Sequence, residues 1–170
     1  MRIIGVDPGL GNTGVGVIEK RPGAVNPGAG LNYIYSEVLR TPRGTLSQRL
    51  LYLHEHLMAI VKETGAEVMA VEDQFFGKNV QTAFKTGQAR GAALLAAARC
   101  ELPVILIPPA RVKMAVVGNG RASKEQVRHM VGQILNLSSL PSSLDCSDAL
   151  AVALCHAFSP DIANLPDRNL

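Results

Sequence analysis

Cysteine is scarce in this 170-residue chain, with Cys100, Cys146 and Cys155 as its whole complement. An odd, widely spaced trio matches no metal-ligand spacing and builds no disulfide framework, which reads as reduced packing residues. Long hydrophobic runs are also missing. Every apolar stretch is broken by charge or glycine well short of the roughly 20 residues a membrane-spanning helix requires. The N-terminus lacks the basic-then-apolar pattern of a secretory leader, so the expected compartment is the cytoplasm. No internal repeat or low-complexity tract stands out. Aromatics are few, with four phenylalanines, three tyrosines and no tryptophan, so the adjacent pair Phe75 and Phe76 is conspicuous.

With 47% hydrophobic residues, the chain fits one compact domain, expected over residues 1–158, with 159–170 as a flexible tail. The net charge of +3 conceals a split. From Lys78 to Arg128 nine basic residues face two acidic ones, a net +7, so the remainder carries −4. That distribution suits a middle segment that binds a polyanion; scattered solvated side chains on helix surfaces are the plainer reading.

Residues 2–7 read as a buried strand and 13–20 as its antiparallel partner, with PGLGN between them as turn. LNYIYSEVLR supplies a third strand. From Leu46 the apolar spacing Leu50, Leu53, Leu57, Ile60, Val61 predicts an amphipathic helix ending at Gly65. A strand closing on Glu72, a helix over about 79–100 and the strand in LPVILIPP follow, an alternation that implies right-handed parallel crossovers. A short helix near 110–117 breaks at GNGR. Ser123 and Gln126 form a capping-box signature for the next helix, and a last one runs from SSLDCSD to about Phe158. The class is therefore α/β.

Asp7 and Glu72 each close an apolar strand, and ligand sites of open α/β sheets gather at the carboxyl ends of strands. Asp145 and Asp148, three apart, share one helix face. Each acid has a plainer alternative: Asp7 as a turn residue bonding glycine amides, Glu72 paired with a lysine, the aspartates complementing a helix dipole. Together, four converging carboxylates repel unless divalent cations neutralise them, and hard ions such as Mg²⁺ or Mn²⁺ prefer oxygen donors. A pair of such ions suits displacement at a phosphodiester. Phe75 or Phe76, in a loop after Glu72, could stack on a base. Lys113 and Lys124 flank VVGNGRASK, which carries Arg121, an arrangement suited to phosphate contacts that position a duplex without reading its sequence. Ala83, Gly87 and Gly91 repeat at four-residue spacing and would admit a second helix, or pack on the chain's own sheet. The histidines form no ligand set; His54 and His56 are two apart and share no helix face.

The segments RIIGVDPGLGNTG, VEDQFFGKNVQTAFKTGQARG and LDCSDALAVALCHA, in this order and spacing, resemble the RuvC family of bacterial Holliday-junction endonucleases within the ribonuclease H-like superfamily. The resemblance covers Arg2 to about Phe158. It implies a five-stranded mixed sheet with helices on both faces. It also implies that Asp7, Glu72, Asp145 and Asp148 form a catalytic quartet binding two Mg²⁺ ions, with Mn²⁺ able to substitute. Nicking would be symmetric and would leave 5′-phosphate and 3′-hydroxyl ends. The implied DNA contacts are Phe75, the better candidate for stacking, its neighbour Phe76, Lys113 and Lys124, with Arg121 added by its place in the loop between the lysines. The implied partners are four-way junction DNA, a second copy of the chain, and a RuvA–RuvB branch-migration complex. Asp73 departs from the family pattern by setting a second acid beside Glu72; alternation sends the two to opposite faces, and the family pattern selects Glu72. Two other readings belong to different classes. One is an actin-like or sugar-kinase phosphate-binding domain, disfavoured by the absence of a second lobe and a late adenosine loop. The other is a catalytically inert junction-binding protein, disfavoured by the intact carboxylates.

Overall fold

The computed structural model describes residues 1–22, 30–73 and 80–158. Phe75, Phe76 and the expected tail 159–170 lie outside the described residues. Five strands form one sheet: β1 (Arg2–Asp7), β2 (Asn12–Lys20), β3 (Leu31–Arg40), β4 (Val68–Glu72) and β5 (Val104–Ile107), in the order β3-β2-β1-β4-β5. β1 pairs antiparallel with β2 and parallel with β4; β2 pairs antiparallel with β3, and β4 parallel with β5. The sheet is mixed, as the meander followed by crossovers implied.

Five helices complete the fold: α1 (Leu46–Thr64), α2 (Val80–Arg99), α3 (Pro109–Val117), α4 (Lys124–Ile134) and α5 (Leu144–Phe158). Thr45 and Gln48 close a capping box on α1, and Gly65, with φ of 62°, ends it in the left-handed conformation that glycine adopts without penalty. Ser123 and Gln126 do the same at the start of α4, as their spacing predicted. One apolar layer packs α1 and α2 on the sheet through Leu53, Leu57, Ile60 and the alanine row Ala89, Ala93 and Ala96 against Met69 and Val71. The other packs α3, α4 and α5 through Val112, Val127, Val131, Leu150 and Leu154.

α5 is buried from Ala149 to Ala157 on every side, which accounts for a sequence apolar all round rather than along one stripe. It lies on the sheet at backbone contact. A Cβ on Gly5 would stand 2.1 Å from the Ala149 carbonyl oxygen, and one on Gly14 the same 2.1 Å from that of Asp145. Only hydrogen at those positions lets the helix settle so deeply. Its acidic N-terminal end is thereby seated beside Gly14, the cross-strand partner of Asp7.

Candidate active site

Parallel register sets the first two acids together. Val6 of β1 lies opposite Val71 of β4, so the next residue of each strand, Asp7 and Glu72, emerges at the same carboxyl edge. The turn after Asp7 is closed without its help: Thr13 Oγ1 accepts from the Gly9 amide and donates to the Gly9 carbonyl at 2.8 Å. The Asp7 side chain instead hydrogen-bonds Glu72. Likewise the start of α5 is capped by Ser143, whose Oγ accepts from the Cys146 amide at 3.1 Å. Capping therefore consumes neither Asp7 nor the α5 aspartates.

Burial, then the like charges of Glu72 and Asp148, push the Asp7 carboxyl up to about 8, with Lys124 pulling the other way. Crowded carboxylates in a poorly hydrated pocket keep a proton in this manner. Asp148, on the second turn of α5, is 13% exposed and forms an ion pair with Lys124 Nζ. Asp148, Asp7 and Glu72 all favour the charged Lys124 ammonium, and against the cost of its burial they hold its pKa above the ordinary lysine value. Glu72, Lys113, Lys124 and Asp148 share the wall of a cavity of about 310 Å³, with Pro109, Val112 and Val127 as its apolar part.

The structure thus unites Asp7, Glu72 and Asp148. It also brings Asp145 to the same end through the close seating of the Asp145 backbone on Gly14. Asp73 turns to the opposite face, where it forms an ion pair with Arg90 of α2; its amide donates to the Ile107 carbonyl at 2.9 Å. Of the two adjacent acids, it is Glu72 that meets Asp7 and lines the cavity. Lys113 and Lys124 both reach the cavity. Arg121 is exposed on the α3–α4 connection, where its amide donates to Asn119 Oδ1 at 3.0 Å.

The donor set is all carboxylate oxygen, gathered where negative charge is in excess, and so suits a hard divalent cation. Among the described residues, no three Asp, Glu, His or Cys side chains are drawn together tightly enough to chelate an ion as they stand. None of the histidines joins the cluster. His56 stacks on Tyr52 at 3.7 Å between ring centroids and hydrogen-bonds the Tyr52 carbonyl, and His156 is buried in α5.

Two features escape a reading of spacing alone. The seating of α5 on Gly5 and Gly14 depends on contacts distant in sequence, although glycines at alternate positions of a buried strand hint at close backbone approach. The second is an apolar groove of about 570 Å³ between α1 and α2, lined by Leu50, Leu51, His54, Gly91 and Leu95 among others. A Cβ on Gly87 or Gly91 would meet nothing within 4 Å, so the small-residue stripe of α2 is not consumed by packing on its own sheet.

Comparison with known proteins identifies the relationship. The family model "Crossover junction endodeoxyribonuclease RuvC" matches residues 3–156. This chain belongs to the RuvC family. The RuvC of Desulfitobacterium hafniense (strain DSM 10664 / DCB-2) is 44% identical over 165 residues, 96% of each chain. Among solved structures, Thermus thermophilus RuvC superposes with a TM-score of 0.83 at 36% identity, covering 93% of this chain and 94% of that one. The same protein in complex with a Holliday junction substrate superposes at 0.84, covering 93% of both chains. A RuvC chain has the ribonuclease H-like fold, and the five-stranded mixed sheet with helices on both faces matches it. No helix among the described residues is long and apolar enough to cross a membrane.

Proposed function

We propose that this RuvC-family chain is a structure-selective endonuclease that resolves four-way DNA junctions by metal-dependent, symmetric nicking. The observation that carries the reading is the convergence of Asp7, Glu72 and Asp148 beside two lysines at one sheet edge. Asp7, Glu72, Asp148 and Asp145 would hold Mg²⁺, two ions per site, with Mn²⁺ a competent substitute. Bound there, such ions would acidify water and neutralise charge on the oxygens of a phosphodiester.

The chain's own groups supply the rest. The Asp7 carboxyl, pushed up to about 8 by burial and by the charges of Glu72 and Asp148, would give up its proton on serving as a ligand. Lys113 and Lys124 would meet the phosphate backbone at the cavity and Arg121 beyond it, contacts that position the strand without reading sequence. Phe75 would stack on a base at the branch point, with Phe76 beside it. Attack of water on phosphorus with cleavage of the P–O3′ bond would leave 5′-phosphate and 3′-hydroxyl ends fit for religation.

Two related strands must be cut to resolve a junction, and a two-fold dimer presents two equivalent sites. The α1–α2 groove supports a homodimer through this face: Val80, Phe84 and Leu95 of α2 and Leu51 of α1 are 55–68% exposed, and contiguous exposed apolar surface marks association sites. A RuvA–RuvB branch-migration complex follows as partner from the family resemblance.

The test is nicking of a synthetic mobile four-way junction, with and without Mg²⁺, by the native chain and by Asp7→Asn. The reading expects paired nicks that require the ion and fall about a hundredfold or more in the variant. Equal cutting of linear duplex, or full activity of Asp7→Asn, would overturn it.

A further inference from the structure

Lys124 is the first residue of α4, directly after the Ser123 cap, whose side chain accepts from the Gln126 amide while Gln126 Oε1 accepts from the Ser123 amide at 2.8 Å. Its backbone is therefore held firmly. Its side chain is another matter: it is 57% exposed, yet its ammonium reaches Asp148, which is only 13% exposed. A flexible, strongly hydrated cation ends on a mostly buried carboxylate of a crowded acidic pocket. Asp148 in turn stands on a helix seated against Gly5 and Gly14, so the acceptor is rigid and the donor is the part free to move.

We propose that the Lys124 ammonium is the acid cluster's resident counter-ion, competing with divalent cations for Asp148 and yielding its place when one binds. The inference rests on the reading of Asp7, Glu72 and Asp148 as metal ligands and adds a role for Lys124 that precedes any contact with DNA. An ammonium is a compact point charge with three donors. It can bridge one or two carboxylates but cannot gather the six oxygens that a hard divalent ion demands. The arrangement agrees with this, since the acids near Lys124 are close enough to interact yet not drawn into a chelating set. Lys113 lines the same cavity, so it supplies a neighbouring positive charge without the ion pair to Asp148.

Displacement has a consequence for the substrate. Once Asp148 is taken by an ion, the Lys124 chain remains at the exposed mouth of the cavity with its charge unpaired, ready for a phosphate oxygen. Ion and phosphate then favour each other's binding through one side chain, and by linkage the coupling is reciprocal.

The experiment is calorimetric titration with Mn²⁺ alone, in the absence of DNA and at one fixed pH, of the native chain, Lys124→Gln, Lys124→Arg, Lys113→Gln and Asp148→Asn. The proposal expects Lys124→Gln to bind Mn²⁺ about tenfold more tightly, the scale of a unit charge acting at contact distance. Lys124→Arg should stay near the native value, and Lys113→Gln should gain clearly less than Lys124→Gln. Unchanged or weaker binding by Lys124→Gln overturns it, as does an equal gain in Lys113→Gln. A second measurement needs no variant: acylation of the Lys124 amine, mapped by mass spectrometry, should quicken several-fold when Mg²⁺ is added to the native chain, and an unchanged rate overturns the proposal. Native binding that Asp148→Asn abolishes but Lys124→Gln does not tighten would remove the counter-ion role alone. No saturable native binding would remove the metal-site reading with it.

Discussion

At the scale of single residues, the chemistry turns on how each acid's neighbours treat its charge. Asp7 keeps its proton to about pH 8 in the folded chain, against 3.8 for the free side chain. Between those values the folded state holds a proton that the unfolded state has released, so stability falls as pH rises through that window. Urea denaturation in EDTA should show this decline between pH 5 and pH 8.5, and Asp7→Asn should flatten it. A slope that survives in Asp7→Asn would mean the decline arises elsewhere. His156 works in the opposite sense. Burial and Lys20 lower its pKa below the ordinary 6.5, so its contribution is present above that value and is lost as pH drops below it. Among the cysteines, burial pushes the Cys155 thiol up to about 11, and Cys146 is buried while Cys100 is half-buried. Alkylation of the native chain at pH 8 should therefore modify Cys100 first and leave Cys155 intact until unfolding, since the thiolate is the reactive form. The placing of Asp7 and Glu72 at the ends of strands was legible in the apolar runs that precede them. Alternation already sent Glu72 and Asp73 to opposite faces; which of them turns to α2 was not legible, because the Asp73–Arg90 ion pair joins residues seventeen apart.

At the scale of elements, the position of α5 decides whether the site exists. The helix and its two aspartates were legible from its start at SSLDCSD. Its depth on the sheet follows from Gly5 and Gly14, whose significance appears only when the helix is laid across β1 and β2. Gly14→Ala puts a methyl group 2.1 Å from the Asp145 carbonyl oxygen, so the helix must lift. Such overpacking is expected to cost about 1–3 kcal/mol, readable in chemical denaturation, and to weaken divalent-ion binding by moving Asp148. Gly87→Ala makes a useful contrast. The added methyl meets nothing within 4 Å in the chain, and exchanging glycine for alanine inside a helix gains roughly 0.5–1 kcal/mol. Gly87→Ala should therefore stabilise the monomer. The capping box that starts α4 was readable from Ser123 and Gln126 because capping is local chemistry, and the structure adds a second at Thr45 and Gln48 of α1. Strand order and register, which bring Asp7 beside Glu72, depend on pairing between distant segments that periodicity does not specify.

At the scale of the whole molecule, the two faces of the sheet divide the labour. The face carrying α3, α4 and α5 holds the acids and lysines; the face carrying α1 and α2 presents the apolar groove. If that groove is the seam of a homodimer, Leu95→Glu, which sets a charge on a side chain 63% exposed, should yield a folded monomer in sedimentation. It should also replace paired nicks with single ones. An unchanged dimer would place the seam elsewhere. The basic middle of the chain, visible as a charge imbalance, divides on folding: Lys113 and Lys124 reach the cavity and Arg121 and Arg111 are exposed on α3 and its following loop, whereas Lys85, Arg90 and Arg99 lie on α2. The central claim is that acids far apart in the chain form one pocket for divalent ions. Its most direct test is a crystal of this protein soaked in Mn²⁺ and measured for anomalous scattering. Strong peaks are expected among the carboxylates of Asp7, Glu72 and Asp148, with the Lys124 ammonium withdrawn. Peaks confined to other surfaces, or none at this cluster under saturating Mn²⁺, would contradict it.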